Sequence, residues 1–386
     1  MSKENLYTVS NSSIETIYDK LHKYLSEKYD LQYNEISSDF QISLKNKRNW
    51  NDLNLNSLMI ELAKANLETR MSKLEIYIKS EMIRKYNPIK SYFKNLKPWD
   101  NIDYIENLAS YVSTTDDLSF KYHLKKWLVR TVKCALENQY YNKQALILTH
   151  RKQNSGKSTF CRFLCPPDLS KYIAENIGYS KDASMQLCRN FIINLDEIDM
   201  LEKREINGYK SFFSKSQINL RLPYDRKNTT LPRVCSFVGS TNDSSFLEDE
   251  TGTVRWLCFE LTDQINFNYS MEIDINNIWT QAYHLAYFDK EFNPELSRED
   301  LRLNEVRNEK FKKLSVEQEL IDKYYSKSSD KNDFKMTNEI VSEMITKYSR
   351  ANEVTIGKAI RALDFERIKD SKIKRWGYLM KRKEIN

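Results

Sequence analysis

Ala145-Leu-Ile-Leu-Thr-His-Arg-Lys-Gln-Asn-Ser-Gly-Lys-Ser-Thr-Phe160 is the stretch from which the fold class is read. Ala145 to Leu148 is wholly apolar, which reads as a short strand buried on both faces. A polar loop follows and closes in Gly156-Lys157-Ser158-Thr159. Phe160, Phe163 and Leu164 then keep helical spacing until Pro166-Pro167 ends the helix. Strand, polar loop, Gly-Lys-Ser and helix is the order in which a chain builds a phosphate cradle. Gly156 lets the backbone approach the phosphates, while successive N–H groups and the helix N-terminus face their charge. Lys157 is placed to reach the β- and γ-phosphates, and the Ser158 hydroxyl to ligate Mg²⁺. Gln153, Asn154, Ser155 and Thr159 complete the candidate nucleotide-binding loop. The full pattern has glycine where Arg151 stands. Asn154 meets part of that need, because asparagine enters the left-handed region more easily than other non-glycine residues. Taken alone, Gly156 to Thr159 would also suit an ordinary helix start.

Three later stretches bear on that choice. Phe191-Ile-Ile-Asn-Leu-Asp-Glu197 is an apolar strand ending in two acids. Asp196 is expected to hold Mg²⁺ through water and Glu197 to polarise an attacking water. Adjacent strand residues point to opposite sides, so the two roles can share one strand tip. Cys235 to Gly239 reads as another core strand, and Asn242 beyond it as a water-positioning or γ-phosphate-sensing amide. Arg255, before the strand Leu257 to Leu261, is either an arginine finger for a neighbouring subunit or a surface ion pair. Between these lies an expected β-hairpin, Ile218 to Tyr224 and Thr229 to Val234. Its charged tip, Asp225-Arg226-Lys227-Asn228, is a DNA contact or a solvated turn.

Composition bounds the rest. The chain has 386 residues, with 61 Lys+Arg against 54 Asp+Glu and a net charge of +7. That basic excess is compatible with nucleic acid without requiring it. Glycine numbers only seven, where average usage is roughly 7%. Gly156, Gly239 and Gly252 lie inside the motifs, where the backbone itself calls for them. Six cysteines without a CxxC pair and four dispersed histidines offer no zinc site. Cys161 and Cys165 read as helix-face packing residues. The polar start Met1-Ser-Lys-Glu-Asn5 and the lack of any apolar run near 18 residues predict a soluble, cytoplasmic chain without membrane attachment.

Residues 1–90 read as a mainly helical module for oligomerisation or docking, with a short strand at Phe40 to Leu44. Residues 91–290 read as the α/β core with its helical flank, including a helix from Leu118 to Cys134 whose Trp127 packs inward. A charged connector is expected over 291–333. Residues 334–386 are expected to form a small winged-helix-like domain with helices at Thr337 to Tyr348 and Thr355 to Leu363. In its ribbon, Lys374 and Arg375 are candidate phosphate contacts; a solvated tail is the competing reading.

Gln153 to Phe160, Leu195-Asp-Glu197, Arg221 to Tyr224, Pro232-Arg233, Ser240-Thr-Asn242, Phe246-Leu247 and Thr251 to Arg255 together resemble the virulence-associated E family. That family is grouped with the superfamily 3-like helicases of the AAA+ P-loop NTPases of phages and mobile elements. The resemblance covers about residues 85 to 290. It implies ATP and Mg²⁺ as cofactors, single-stranded DNA in the channel of a homo-oligomeric ring, and a hexamer as the expected state. It also implies a separate primase or origin-binding protein as a partner, since the chain lacks the length and acidic metal cluster of a primase. Family members often carry two arginines where Val254-Arg255 stands. The implied activity is a DNA helicase or translocase in replication of a mobile element. The alternatives are a DNA-stimulated ATPase that remodels an origin or excision complex, and a low-turnover nucleotide-binding DNA adaptor.

Overall fold

The computed structural model describes the chain apart from residues 1–14, 48, 179, 199–202, 221–227, 244, 248–252, 346–347, 349, 372 and 384–386. At its start, Thr16 and Asp19 cap α1 (Ile17–Lys28) reciprocally, each side chain accepting from the other's amide. Strands β1 (Tyr29–Asn34), β2 (Asp39–Leu44) and β3 (Asn51–Asp52) follow, then α2 (Leu55–Lys64), α3 (Met71–Ile78) and β4 (Arg84–Tyr86). They make a four-stranded sheet in the order β3-β2-β1-β4, packed over Leu21, Leu25, Leu58, Leu62, Leu74 and Ile78. The expectation of a mainly helical segment is corrected here. Strand β2 is the one expected at Phe40 to Leu44, but the buried positions of β1 are Gln32 and Asn34, so apolar periodicity does not reveal that strand. Gln32 donates to Gln41 at 3.0 Å across the strand pair and accepts from Arg84 at 2.7 Å. The polar side chains are satisfied by partners, not by solvent.

Next come α4 (Pro88–Asn95), α5 (Tyr104–Ala109) and α6 (Asp117–Leu136). Pro88 sits in the first turn of α4, where its missing N–H costs nothing, and Asn87 caps the helix. Helix α6 buries Leu124, Trp127, Leu128, Thr131 and Cys134, the face expected from spacing; Trp127 is wholly enclosed.

The central unit runs β5 (Ala145–Thr149), α7 (Lys157–Phe163), β6 (Ile173–Glu175), α8 (Lys181–Arg189), β7 (Ile192–Leu195) and α9 (Lys203–Phe213). It continues with β8 (Gln217–Leu220), β9 (Thr229–Pro232), β10 (Ser236–Thr241), β11 (Trp256–Glu260), α10 (Tyr269–Glu272), α11 (Ile275–Tyr287) and α12 (Arg298–Asn308). Five strands form a wholly parallel sheet in the order β11-β5-β10-β7-β6. Alternate residues of β5 feed two cores. Leu146 and Leu148 pack towards α6, α7 and α11, while Ala145 and Ile147 pack towards α8 and α9. The result is a mixed α/β layer structure with helices on both faces. Each side chain fully buried this way contributes roughly 1.5–3 kcal/mol. A Cβ on Gly239 would stand 2.5 Å from the Leu195 carbonyl oxygen, so only glycine lets β10 lie this close to β7. Cys161 is buried in the α7 core and Cys165 half-buried beyond the helix end.

Arg233 is the largest surprise inside this unit. Its side chain is fully buried and donates to the carbonyls of Cys235 (2.9 Å), Phe212 (2.9 Å), Phe213 (3.0 Å) and Asn142 (2.9 Å). Two of those carbonyls belong to the last turn of α9, so the guanidinium acts as its C-cap. Arg233→Met should orphan the Phe213 and Asn142 carbonyls, each costing about 1–3 kcal/mol, while the Phe212 carbonyl keeps the Lys215 amide and the Cys235 carbonyl the Cys134 thiol. A large fall in the thermal midpoint checks this; an unchanged midpoint refutes the capping role.

The charged connector expected over 291–333 is also corrected. Helix α12 buries Asn304 and Asn308, whose amides donate to the Trp256 carbonyl at 2.9 and 2.8 Å. Asn308 also donates to the Thr253 carbonyl at 2.8 Å, and Phe311 is fully buried beyond the helix. Farther on, α13 (Val316–Tyr324) and β12 (Tyr325–Lys327) join a C-terminal unit with β13 (Phe334–Lys335), α14 (Thr337–Ile345), α15 (Glu353–Ala362), β14 (Arg367–Lys369) and β15 (Trp376–Arg382). Ile321 and Tyr325 pack there with Ile340, Met344, Ile356 and Ile360. Three helices and an antiparallel ribbon therefore make this unit, one helix more than expected. No helix among the described residues is long and apolar enough to cross a membrane.

Candidate functional site

The loop between β5 and α7 opens at the C-terminal edge of the parallel sheet. There β5 lies between β10 and β11, so the chain leaves it in opposite directions on its two sides. Such a topological switch point leaves a crevice outside the strand ends. Asn154 adopts φ 58° and Gly156 φ 89°, both left-handed. Arg151 is not among the positive-φ residues, so no left-handed backbone calls for glycine at that place. Gly156 also faces a close neighbour: a Cβ there would come within 2.9 Å of the Phe267 ring. The Ser155 carbonyl accepts from the Ile265 amide at 3.0 Å, and the Asn154 carbonyl from Gln264 Nε2 at 3.3 Å. These bonds tie the carbonyl side of the loop to the segment after β11. At the other end, the first-turn amides of α7 have no intrahelical acceptor.

Lys157 is buried, and its ammonium donates to Ser155 Oγ (2.9 Å), Asn242 Oδ1 (2.9 Å) and the His150 carbonyl (3.3 Å). Asn242 lies just beyond β10, so the structure brings it to the lysine across 85 residues of sequence. Ser158 Oγ donates to Asp196 Oδ1 at 2.7 Å and lies 3.0 Å from Ser240 Oγ, which itself donates to Asp196. Sequence reading quoted Ser240 within a motif without giving it a role. Its position at the end of β10, opposite Leu148 of β5, was the available signal. Burial pushes the Asp196 carboxyl up, but hydrogen bonds from Ser240 and Ser158 and the nearby Arg162 charge outweigh it. Its pKa therefore lies below the ordinary carboxylate value.

Glu197 is exposed and sits in the left-handed region, φ 55°. Strand β7 ends at Leu195, so this turn, and not the pleat of the strand, separates Glu197 from Asp196. A non-glycine residue pays roughly 1–2 kcal/mol for such a backbone. Gln153 and Thr159 are exposed on the loop and its helix. Arg255 lies elsewhere. Trp256 pairs with Ala145 at the start of β5, whereas the loop leaves from Thr149 at its end. Arg255 is thus at the opposite edge of the sheet, where Nε donates to Ser214 Oγ at 3.3 Å. The hairpin strands pair in register, Gln217 with Pro232 and Leu220 with Thr229. Its tip, with Arg226 and Lys227, lies outside the described residues, as does Gly252. Lys374 and Arg375 are exposed at the β14–β15 turn, Lys374 with φ 54°.

The oxygens gathered at Ser158, Asp196 and Ser240 are hard donors of the kind Mg²⁺ accepts. Among the described residues no group of three or more His, Cys, Asp or Glu could hold a metal ion. A small donor set suits a cation completed by substrate phosphates and water.

The virulence-associated protein E-like domain matches residues 93–313 of the chain. The apo structure of the NrS-1 C-terminal region (305–718) is similar at TM-score 0.50 and 13% identity, covering 95% of this chain and 99% of that one. The A form apo structure of the same region aligns at TM-score 0.48 and 14% identity, covering 94% and 98%. No curated protein matches.

Proposed function

The chain belongs to the virulence-associated protein E-like domain family, and on that footing we propose that it is an ATP-dependent DNA helicase or translocase acting in replication of a mobile element. One observation carries the reading: Lys157 reaches Asn242 at 2.9 Å while Ser158 reaches Asp196 at 2.7 Å, all at the switch point of a parallel sheet. Gln153 to Thr159 would wrap the phosphates of ATP, with Lys157 against the β- and γ-phosphates. Ser158 and Asp196 would hold Mg²⁺, which when bound neutralises phosphate charge. Glu197, exposed beside Asp196, would polarise the attacking water, and Asn242 would position it. Arg255 would complete a neighbour's site in a homo-oligomeric ring, a hexamer, threaded by single-stranded DNA. A separate primase or origin-binding protein would supply the remaining replication functions.

Steady-state ATPase with and without single-stranded DNA, beside a strand-displacement assay, tests this. DNA-stimulated turnover with unwinding supports a helicase. Stimulation without unwinding supports an ATPase that remodels an origin or excision complex. Tight nucleotide binding without turnover supports an adaptor.

The hairpin tip gives a separate prediction. Cations repeated around a ring channel stack phosphate contacts, and each contact releases counterions. Arg226→Ala/Lys227→Ala should weaken single-strand binding and flatten its salt dependence by about 0.7 in log–log slope per lost contact. Basal ATPase should survive while DNA stimulation disappears. Unchanged affinity and slope would move the DNA contact to the ribbon of Lys374 and Arg375.

A further inference from the structure

Arg162 lies on α7 four residues after Ser158, so both side chains project from one helix face. Its guanidinium grips Glu175 with two nitrogens, Nε to Oε1 at 2.8 Å and Nη2 to Oε2 at 3.3 Å. The same Nη2 donates to Asp196 Oδ2 at 3.1 Å. Glu175 is itself fixed: β6 sets it opposite Asn194, whose buried amide donates to Oε2 at 2.8 Å. On the other side, Asn176 Oδ1 accepts from the Asp196 amide at 2.8 Å. The two oxygens of Asp196 are therefore made unequal. Oδ1 is turned to Ser158 and Ser240, and Oδ2 is occupied by Arg162.

We propose that Arg162, held by Glu175, is a positioning residue that fixes the plane of the Asp196 carboxylate with one oxygen towards Ser158, and thereby sets how tightly the site takes the divalent cation accompanying a nucleotide. The proposal rests on reading this loop as a Mg²⁺–nucleotide site. A terminal carboxylate torsion is broad and two-fold, so without the fork Asp196 would sample orientations that present no preset oxygen pair. Loss of Arg162 would also leave Glu175 beside Asp196 as an uncompensated like charge, which favours rotation away. Outer partners of this kind typically govern metal affinity by 10–100-fold, an effect well above their share of global stability. Arg162 is half-exposed, so its ion pairs add little to folding. Cation binding and folding can thus be read apart.

The test is binding of a fluorescent ATP analogue to the full chain, titrated with Mg²⁺ and repeated in EDTA. Arg162→Gln should leave binding in EDTA and the melting temperature unchanged. It should raise the Mg²⁺ concentration for half-maximal tightening about tenfold or more. Glu175→Gln, which frees Arg162 without removing it, should give a smaller shift in the same direction. The double variant should be no worse than Arg162→Gln, because the pair acts as one unit. Arg162→Lys keeps the charge without the planar fork and should recover part of the loss. An unaltered Mg²⁺ requirement in both single variants overturns the proposal, as does an equal loss of affinity with and without Mg²⁺. Should Arg162→Gln not fold, the Glu175→Gln titration decides alone. Failure of the site reading has its own signature: wild type and Lys157→Ala bind nucleotide equally, or neither binds, which overturns both.

Discussion

Glu197→Gln is expected to bind ATP as the wild type does and to hydrolyse it about 10²–10⁴-fold more slowly, the usual contribution of a positioned general base. The residue suits such a test because it is exposed, beyond the end of β7, and the substitution preserves its size. No buried contact is lost, so the fold should be untouched. The proton-accepting oxygen is what disappears. Lys157→Ala provides the contrast. That ammonium is buried against Ser155, Asn242 and the His150 carbonyl, and its removal takes away the charge that would meet the phosphates. It should therefore weaken binding itself as well as turnover. Nucleotide affinity and steady-state rate measured on both variants separate the two roles. Wild-type turnover in Glu197→Gln would show that the water is activated elsewhere.

Arg255→Ala should bind ATP and yet lose turnover by roughly 10³–10⁵-fold, as expected for a cation that stabilises charge on the transferring phosphoryl group. Sheet register makes this a statement about assembly. Arg255 precedes Trp256, which pairs with the first residue of β5, and the loop leaves from the last. Four residues of strand, each rising about 3.3 Å, separate the two edges. The arginine lies too far to serve its own chain's loop, so a role in turnover requires the loop of a neighbouring chain. Mixing Arg255→Ala with Lys157→Ala should therefore restore activity. In randomly mixed rings with head-to-tail contacts, about a quarter of the interfaces combine an intact loop with an intact arginine. Mixtures that stay inactive, or a chain that stays monomeric with ATP and DNA present, would return Arg255 to a surface role.

Both experiments bear on residues whose positions are partly legible from sequence, and the division is instructive. The apolar run Ala145 to Leu148 reports burial directly, because a strand covered on both faces shows few polar positions; Ile192 to Leu195 departs from that pattern only at Asn194, which is buried with its amide on Glu175. Gly156 and Asn154 announced a backbone with positive φ, and the structure has it at both. Ser158 and Asp196, each expected at Mg²⁺ from its own motif, are bonded to each other in the structure. Where burial is polar, that signal vanishes. Gln32, Asn34, Asn304, Asn308 and Arg233 are buried with hydrogen bonds to amides, carbonyls and, for Asn34, the Tyr172 hydroxyl. A helix such as α12 then reads as a charged connector although it closes the core. The Arg162–Glu175–Asp196 arrangement is further out of reach. Thirteen residues separate the first pair and 34 separate Arg162 from Asp196, and only the parallel pairing of β6 with β7 brings them together. The sequence by itself determined the apolar strands, the glycine-dependent loop and the chemical types at the candidate site. Tertiary structure alone decided the polar contacts among them, because hydrophobic periodicity records which groups leave water and not which partners receive them.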